Sequence, residues 1–278
     1  MSPVDFLLTP LAYTFMQRGM LAVILVGAIS GVLGCYVVVR GMAFFGDALA
    51  HSIMPGVAVA YLVGGNLFMG GLVAGVIAAL GIGWLTRGRQ IKEDTAIGVV
   101  FAGMLALGVA IISTARSYSA DLSHILFGNV LGVGNGDLLT MAVLDAAVIG
   151  VVLLFYKEFL VLSFDPGLAQ TLRLPGERLR LLLLALIAVT IVASLQTVGA
   201  ALMVAMLVTP AATAQLIVKR LHHMMIVAAV VGAVSGVAGL YTSYYLNVAS
   251  GAAIVLTTTA VFVVVLGITR LREQRRKA

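Results

Sequence analysis

The chain has 278 residues, 62% of them hydrophobic and 10% charged, with a mean hydropathy of +1.13 and a formal net charge of +6. This composition excludes a water-soluble globular domain, which needs more polar surface, and identifies a polytopic membrane protein. In such a chain a basic excess records orientation, because Lys and Arg stay on the cytoplasmic side, so nucleic acid is not an expected partner.

Residues 1–19 place Asp5 ahead of a short apolar run and Pro10, with Gln17 and Arg18 only at the end. That is the wrong polarity for a secretory signal peptide, and no cleavage is expected. About 20 apolar residues cross a bilayer. Hydropathy with polar punctuation predicts spans at 20–39, 48–64, 67–86, 95–115, 138–156, 179–197, 199–218, 224–246 and 251–269, eight or nine in all, with Pro55 interrupting the second and Pro210 the seventh. The predicted fold class is all-α, a polytopic transmembrane helix bundle, with residues 1–278 as one domain.

Charge supports the count. Arg40, Arg87, Arg89, Lys92, Lys157, Arg173, Arg178, Arg180, Lys219, Arg220, Arg270, Arg272, Arg275, Arg276 and Lys277 fall on one side, and only Arg18 and Arg116 on the other. The richer side is cytoplasmic, which puts the C-terminus inside and, with an odd number of spans, the N-terminus outside. The longest outside segment runs from Arg116 to Asp137, and residues 122–131 within it are expected to form a short helix against the bundle. Small-residue pairs at Gly27/Gly31, Gly71/Gly75 and Gly232/Gly236 allow close helix approach, and are read as packing within the bundle. Cys35 lies in an apolar span, which leaves no disulfide framework or Cys-rich metal site.

Residues 46–56, GDALAHSIMPG, carry the clearest functional signal. Asp47 and His51 are four apart, so a helix places both on one face, where a carboxylate at mid-membrane costs about 2.5–3.5 kcal/mol. Either a passing metal cation is their partner, or a buried Asp–His hydrogen bond merely fixes a helix. Pro55 cannot donate to the His51 carbonyl, which offers a third oxygen in a broken helix of the kind that lines transport sites. Two copies of the chain about a two-fold axis would supply two carboxylates and two imidazoles, a set that suits Zn2+ and, with added water, Mn2+.

Other polar groups carry weaker readings. Asp121 and His124 are candidates for metal entry, and His222 and His223 for a solvated or headgroup-facing helix end. Asp145, inside the fifth span, is either functional or a packing hydrogen bond. Met203 and Met206 are read as packing. The chain has no P-loop, HExxH helix or GxSxG elbow, so it is not expected to be an enzyme, and any ATP hydrolysis belongs to another chain.

Three segments together resemble a known family: RGMAFFGDALAHSIMPGVAVAYL at 40–62, KEDTAIGVVFAGMLALGVAIIS at 92–113 and SLQTVGAALMVAMLVTPAATAQLI at 194–217. They are similar to the permease subunits of bacterial metal-type ABC importers, the ABC-3 permeases. The resemblance implies a multi-pass protein of the bacterial cytoplasmic (inner) membrane that homodimerises. Its implied partners are two ABC ATPase subunits inside and a periplasmic or lipid-anchored metal-binding protein outside. It also implies that Asp47 and His51 contact the transported metal, and that 165–174 is a cytoplasmic coupling helix seated in the ATPase. The residues expected to act there are Asp165, Pro166, Leu168, Ala169, Leu172 and Arg173. Independently, Asp165 suits an N-cap, Pro166 a first helical turn, and Arg173 with Pro175 a helix end.

The expected function is the permease of an ATP-driven importer of divalent transition metal, with Zn2+ slightly ahead of Mn2+, then Fe2+, as cargo and no permanent cofactor. The rivals are a proton-coupled metal transporter using Asp47 or Asp145, a siderophore or corrinoid ABC permease, and a membrane anchor.

Overall fold

The computed structural model describes residues 8–87, 91–114 and 130–277. These residues form α-helices with no strand among them: α1 (Thr14–Val39), α2 (Phe45–Ser52), α3 (Met54–Leu62), α4 (Leu67–Leu85), α5 (Glu93–Ile112), α6 (Asn135–Leu154), α7 (Tyr156–Phe164), α8 (Pro166–Thr171), α9 (Gly176–Val198), α10 (Ala200–Ile217), α11 (Leu221–Leu246) and α12 (Ser250–Lys277). A 3-10 turn, Val130–Gly132, precedes α6. Of these, α1, α4, α5, α6 and α9 to α12 contain stretches long and apolar enough to cross a membrane, as the hydropathy pattern predicts.

Helix ends follow local chemistry. The Asn66 side chain caps α4 by accepting from the Met69 N–H at 3.1 Å. Glu93 and Asp94 open α5, where acidic side chains complement the helix dipole. The chain leaves α11 through Asn247 at φ 52°, the left-handed conformation that commonly ends helices.

The predicted second span is two short helices, not one. The break falls at Ile53, and Pro55 sits inside the first turn of α3, where a missing N–H breaks no helical bond. Pro210, by contrast, does not interrupt the seventh: α10 runs through it. Counted with Ile53, α2 and α3 cover residues 45–62, about 27 Å of helix at 1.5 Å per residue, close to the length of α4. Arg40, ahead of α2, and Thr86, after α4, belong to one side-chain cluster through Glu93 and Arg180. The chain therefore leaves and returns between them, and the broken pair serves as a ninth crossing among the described residues.

The helices divide into two compact units. One holds most of α1, the start of α6 and α10 to α12. Within it α1 lies so close to α11 that a Cβ added at Gly27 would sit 2.7 Å from the Ala233 nitrogen, and one at Gly31 2.6 Å from the Ala228 carbonyl carbon. Gly232 faces Gly27 in turn, so these glycine pairs serve internal packing. Met203 and Met206 are buried and take weak hydrogen bonds from Ser30 and Thr258, consistent with packing.

The other unit holds α2 to α5, most of α6, and α7 to α9. Gly56 of α3 abuts the backbone of Gly70 on α4, and Gly108 of α5 abuts Met54. Gly71 and Gly75 admit Val57, Ile53 and Val192. The broken helix pair is thus clamped on both sides by close backbone contacts.

Candidate functional site

Asp47 stands in the first turn of α2 and His51 in its last, with Asp47 Oδ1 and His51 Nε2 3.7 Å apart. That separation is too long for a hydrogen bond. Neither side chain is buried: Asp47 is 54% exposed and His51 33%. The reading in which a buried Asp–His hydrogen bond only fixes the helix therefore fails on both counts. Every other residue of α2 is buried, so the helix offers one open face, and both of its potential metal ligands stand on it.

Two further features shape this face. The Phe101 ring of α5 meets the His51 ring edge-on, with centroids 5.8 Å apart and planes at 66°. Sequence reasoning missed Phe101, since a phenylalanine in an apolar span carries no signal of its own. The His51 carbonyl, denied a donor at Pro55, takes the Ile53 N–H instead, so the oxygen expected to be free is engaged locally.

Among the described residues no three His, Cys, Asp or Glu side chains gather into a metal-ligand group. On this face the described residues of one chain thus present two side-chain donors, fewer than a transition metal requires. His222 and His223 are exposed at the start of α11, with ring centroids 4.1 Å apart. Asp145 is buried, and neither of its carboxylate oxygens has a hydrogen-bond partner among the described residues, so the packing bond expected of it is not formed there. Asp121, His124, Arg89 and Arg116 lie outside the described residues, as does most of the helix expected at 122–131.

The segment 165–174 folds as its sequence predicts. Asp165 Oδ1 accepts from the Leu168 N–H at 2.9 Å, and Pro166 begins the six-residue α8. The helix ends with Arg173 at φ 54°, where the Arg173 N–H reaches the Gln170 carbonyl and the Leu174 N–H the Ala169 carbonyl, both at 3.0 Å. This is the Schellman pattern with an arginine where glycine is usual. Ala169 is buried, whereas Leu168 and Leu172 are 45% and 54% exposed. A short helix anchored by one alanine and presenting two leucines is suited to being covered by another surface.

Beside α8 lies a charged cluster. Arg40 Nη2 donates to Glu93 Oε1 at 2.7 Å, and Arg180 Nη1 approaches the same oxygen at 3.5 Å. Arg180 also donates to Thr86 Oγ1 at 2.7 Å and to the Gly83 carbonyl, and lies 3.5 Å from Glu177. Burial presses the Arg40 ionisation below its ordinary value, the Glu93 carboxylate opposes that, and the Arg180 guanidinium adds to it. Read from sequence, Arg40 and Arg180 served only to mark the cytoplasmic side. The overlooked signal was Glu93, an acid at the edge of a span amid basic loops.

A bundle of membrane-length helices, interrupted by a broken pair that bears two side chains able to ligate metal, is the architecture of a transport permease. The chain belongs to the ABC 3 transport family, whose profile it matches over residues 12–269. It is 48% identical over 250 residues to the manganese transport system membrane protein MntC of Listeria monocytogenes, spanning 90% of this chain and 89% of that protein. It is 39% identical over 268 residues to a probable iron transport system membrane protein of Haemophilus influenzae, spanning 96% and 98%. Among solved structures, PsaBC from Streptococcus pneumoniae in complex with Fab matches with a TM-score of 0.81 at 38% identity, covering 94% of each chain. An inward-facing putative metal-chelate type ABC transporter, at 17% identity and a TM-score of 0.71 over 96% of this chain and 89% of that one, shares the fold.

Proposed function

We propose that this chain is the membrane permease of an ATP-driven importer of divalent transition metal, with Mn2+ ahead of Fe2+ and Zn2+ as cargo. The observation that carries the reading is the open Asp47–His51 pair, two potential ligands on one helical face that make no hydrogen bond to each other and gather no third side-chain ligand among the described residues. A second copy related by a two-fold axis completes the set with another carboxylate and imidazole. Such a mixed oxygen and nitrogen set, with water, accommodates Mn2+ and Fe2+ as well as Zn2+. Imidazole alone favours Zn2+. Mn2+ and Fe2+ stand first because the relatives are named for manganese and iron transport.

ATP hydrolysis falls to a separate subunit, since this chain has no P-loop. Leu168 on α8 and Leu172 at its C-cap are the surface it would cover. A metal-binding protein delivers the ion on the opposite side. The site must bind weakly enough to release the ion inward, which agrees with a pair left partly open in each chain.

The test is uptake by the chain reconstituted with its ATPase and metal-binding protein. Asp47→Ala and His51→Ala are each expected to lower ATP-dependent Mn2+ uptake by about tenfold or more without loss of assembly. Near-normal uptake in both variants overturns the site. Transport by the chain alone, driven by a proton gradient, overturns the ATP-driven reading.

A further inference from the structure

Arg40, Glu93 and Arg180 come from three remote stretches of chain, yet each stands in or just before an element the transport reading uses. Arg40 lies seven residues before Asp47. Glu93 opens α5, on which Phe101 stands against His51 eight residues, or about 12 Å, further along. Arg180 lies in the first turns of α9, the helix that follows α8. The side chains of Arg40 and Arg180 are only 10% and 12% exposed.

A cavity of about 590 Å3 adjoins the cluster, with Arg40, Glu93 and Arg180 on its wall together with Ala169 and Gln170 of α8. Helix α8 therefore faces the cluster across open space, with room to move against it. Separating Arg40 from Glu93 would leave a buried guanidinium without its carboxylate, a costly outcome, while Arg180 would keep only the half-exposed Glu177 at 3.5 Å. Displacement of α9 must then carry Glu93 with it or shift Glu93 between its two partners. Arg40 Nη1 and Arg180 Nε have no hydrogen-bond partner among the described residues, so both arginines hold donors in reserve for a second arrangement.

We propose that Glu93 is a positioning residue that couples movement of α8 and α9 to the Asp47–His51 face, by exchanging between a pairing dominated by Arg40 and one dominated by Arg180. In the present state it is closer to Arg40, at 2.7 Å against 3.5 Å. The inference rests on the permease function and adds to it the device that links ATPase and metal site.

The experiment uses the complete complex in liposomes and measures both Mn2+ transported and ATP hydrolysed. Glu93→Gln keeps the shape and removes the charge. It is expected to leave hydrolysis within about twofold of wild type while metal moved per ATP falls about tenfold. Glu93→Asp, which restores the charge, is expected to recover most of that ratio. A merely structural role would lower transport and hydrolysis together. An unchanged ratio in Glu93→Gln overturns the proposal. Should that variant fail to assemble, Arg180→Lys decides, because lysine keeps the charge but has one nitrogen in place of two, Nη1 on Thr86 and Glu93 and Nη2 on the Gly83 carbonyl and Glu177. Its metal per ATP is expected to fall about threefold, and a wild-type ratio overturns the proposal. Failure of the wild-type complex to move Mn2+, Fe2+ or Zn2+ would overturn the permease function itself, an outcome distinct from a loss of coupling in the variants.

Discussion

The rings of Phe101 and His51 meet edge-on at 5.8 Å between centroids, so the imidazole of the candidate metal pair is positioned by a residue of a different helix. The contact limits ring rotation on an otherwise open face. Phe101→Leu keeps an apolar side chain but loses the flat ring. The apparent KM for Mn2+ is expected to rise about tenfold with little change in maximal rate. Uptake kinetics at graded metal concentration test this, and an unaltered KM counts against Phe101 as a support for His51.

Pro55 keeps α2 and α3 apart by withholding a donor from the His51 carbonyl. In Pro55→Ala the new N–H can bond that carbonyl and favour one continuous helix across Ile53. The expected result is Mn2+ uptake that falls about tenfold, because the Asp47–His51 face is re-aimed. Unchanged uptake kinetics would show that the break does not matter for transport.

Leu168 and Leu172 are exposed, so Leu168→Asp and Leu172→Asp should not disturb the permease itself. Each is expected to weaken association with the ATPase by about tenfold, as loss of an apolar anchor does at other interfaces. Asp165→Ala acts differently, removing the cap bond to the Leu168 N–H at a cost of about 1 kcal/mol to α8. Pull-down of the ATPase with the purified variants separates the two effects. Full binding by both leucine variants would move the docking surface elsewhere.

The span pattern was legible in the sequence, although α1 begins six residues before the predicted 20–39 and α12 runs eight residues past the predicted 251–269. The predicted 67–86 appears as Leu67–Leu85 and the predicted 224–246 as Leu221–Leu246. The cap by Asp165 and the helix end at Arg173 were legible too. Less so was the broken crossing: Pro55 announced an interruption, but its place at Ile53, and the tolerance of Pro210 within α10, were not apparent. A proline removes a donor wherever it stands, and only the surrounding packing decides whether the helix yields.

What the sequence determined by itself were properties that need no partner: apolar length, local caps, and the i, i+4 spacing of Asp47 and His51. The tertiary structure alone decided that this pair is open and not hydrogen-bonded, that Phe101 stands against it, and that Arg40 and Arg180 share Glu93 across 53 and 87 residues of chain. The reason is physical. Membrane insertion and capping are settled by groups within a helical turn or a single span, whereas exposure and ion pairing depend on which distant helices the packing brings together.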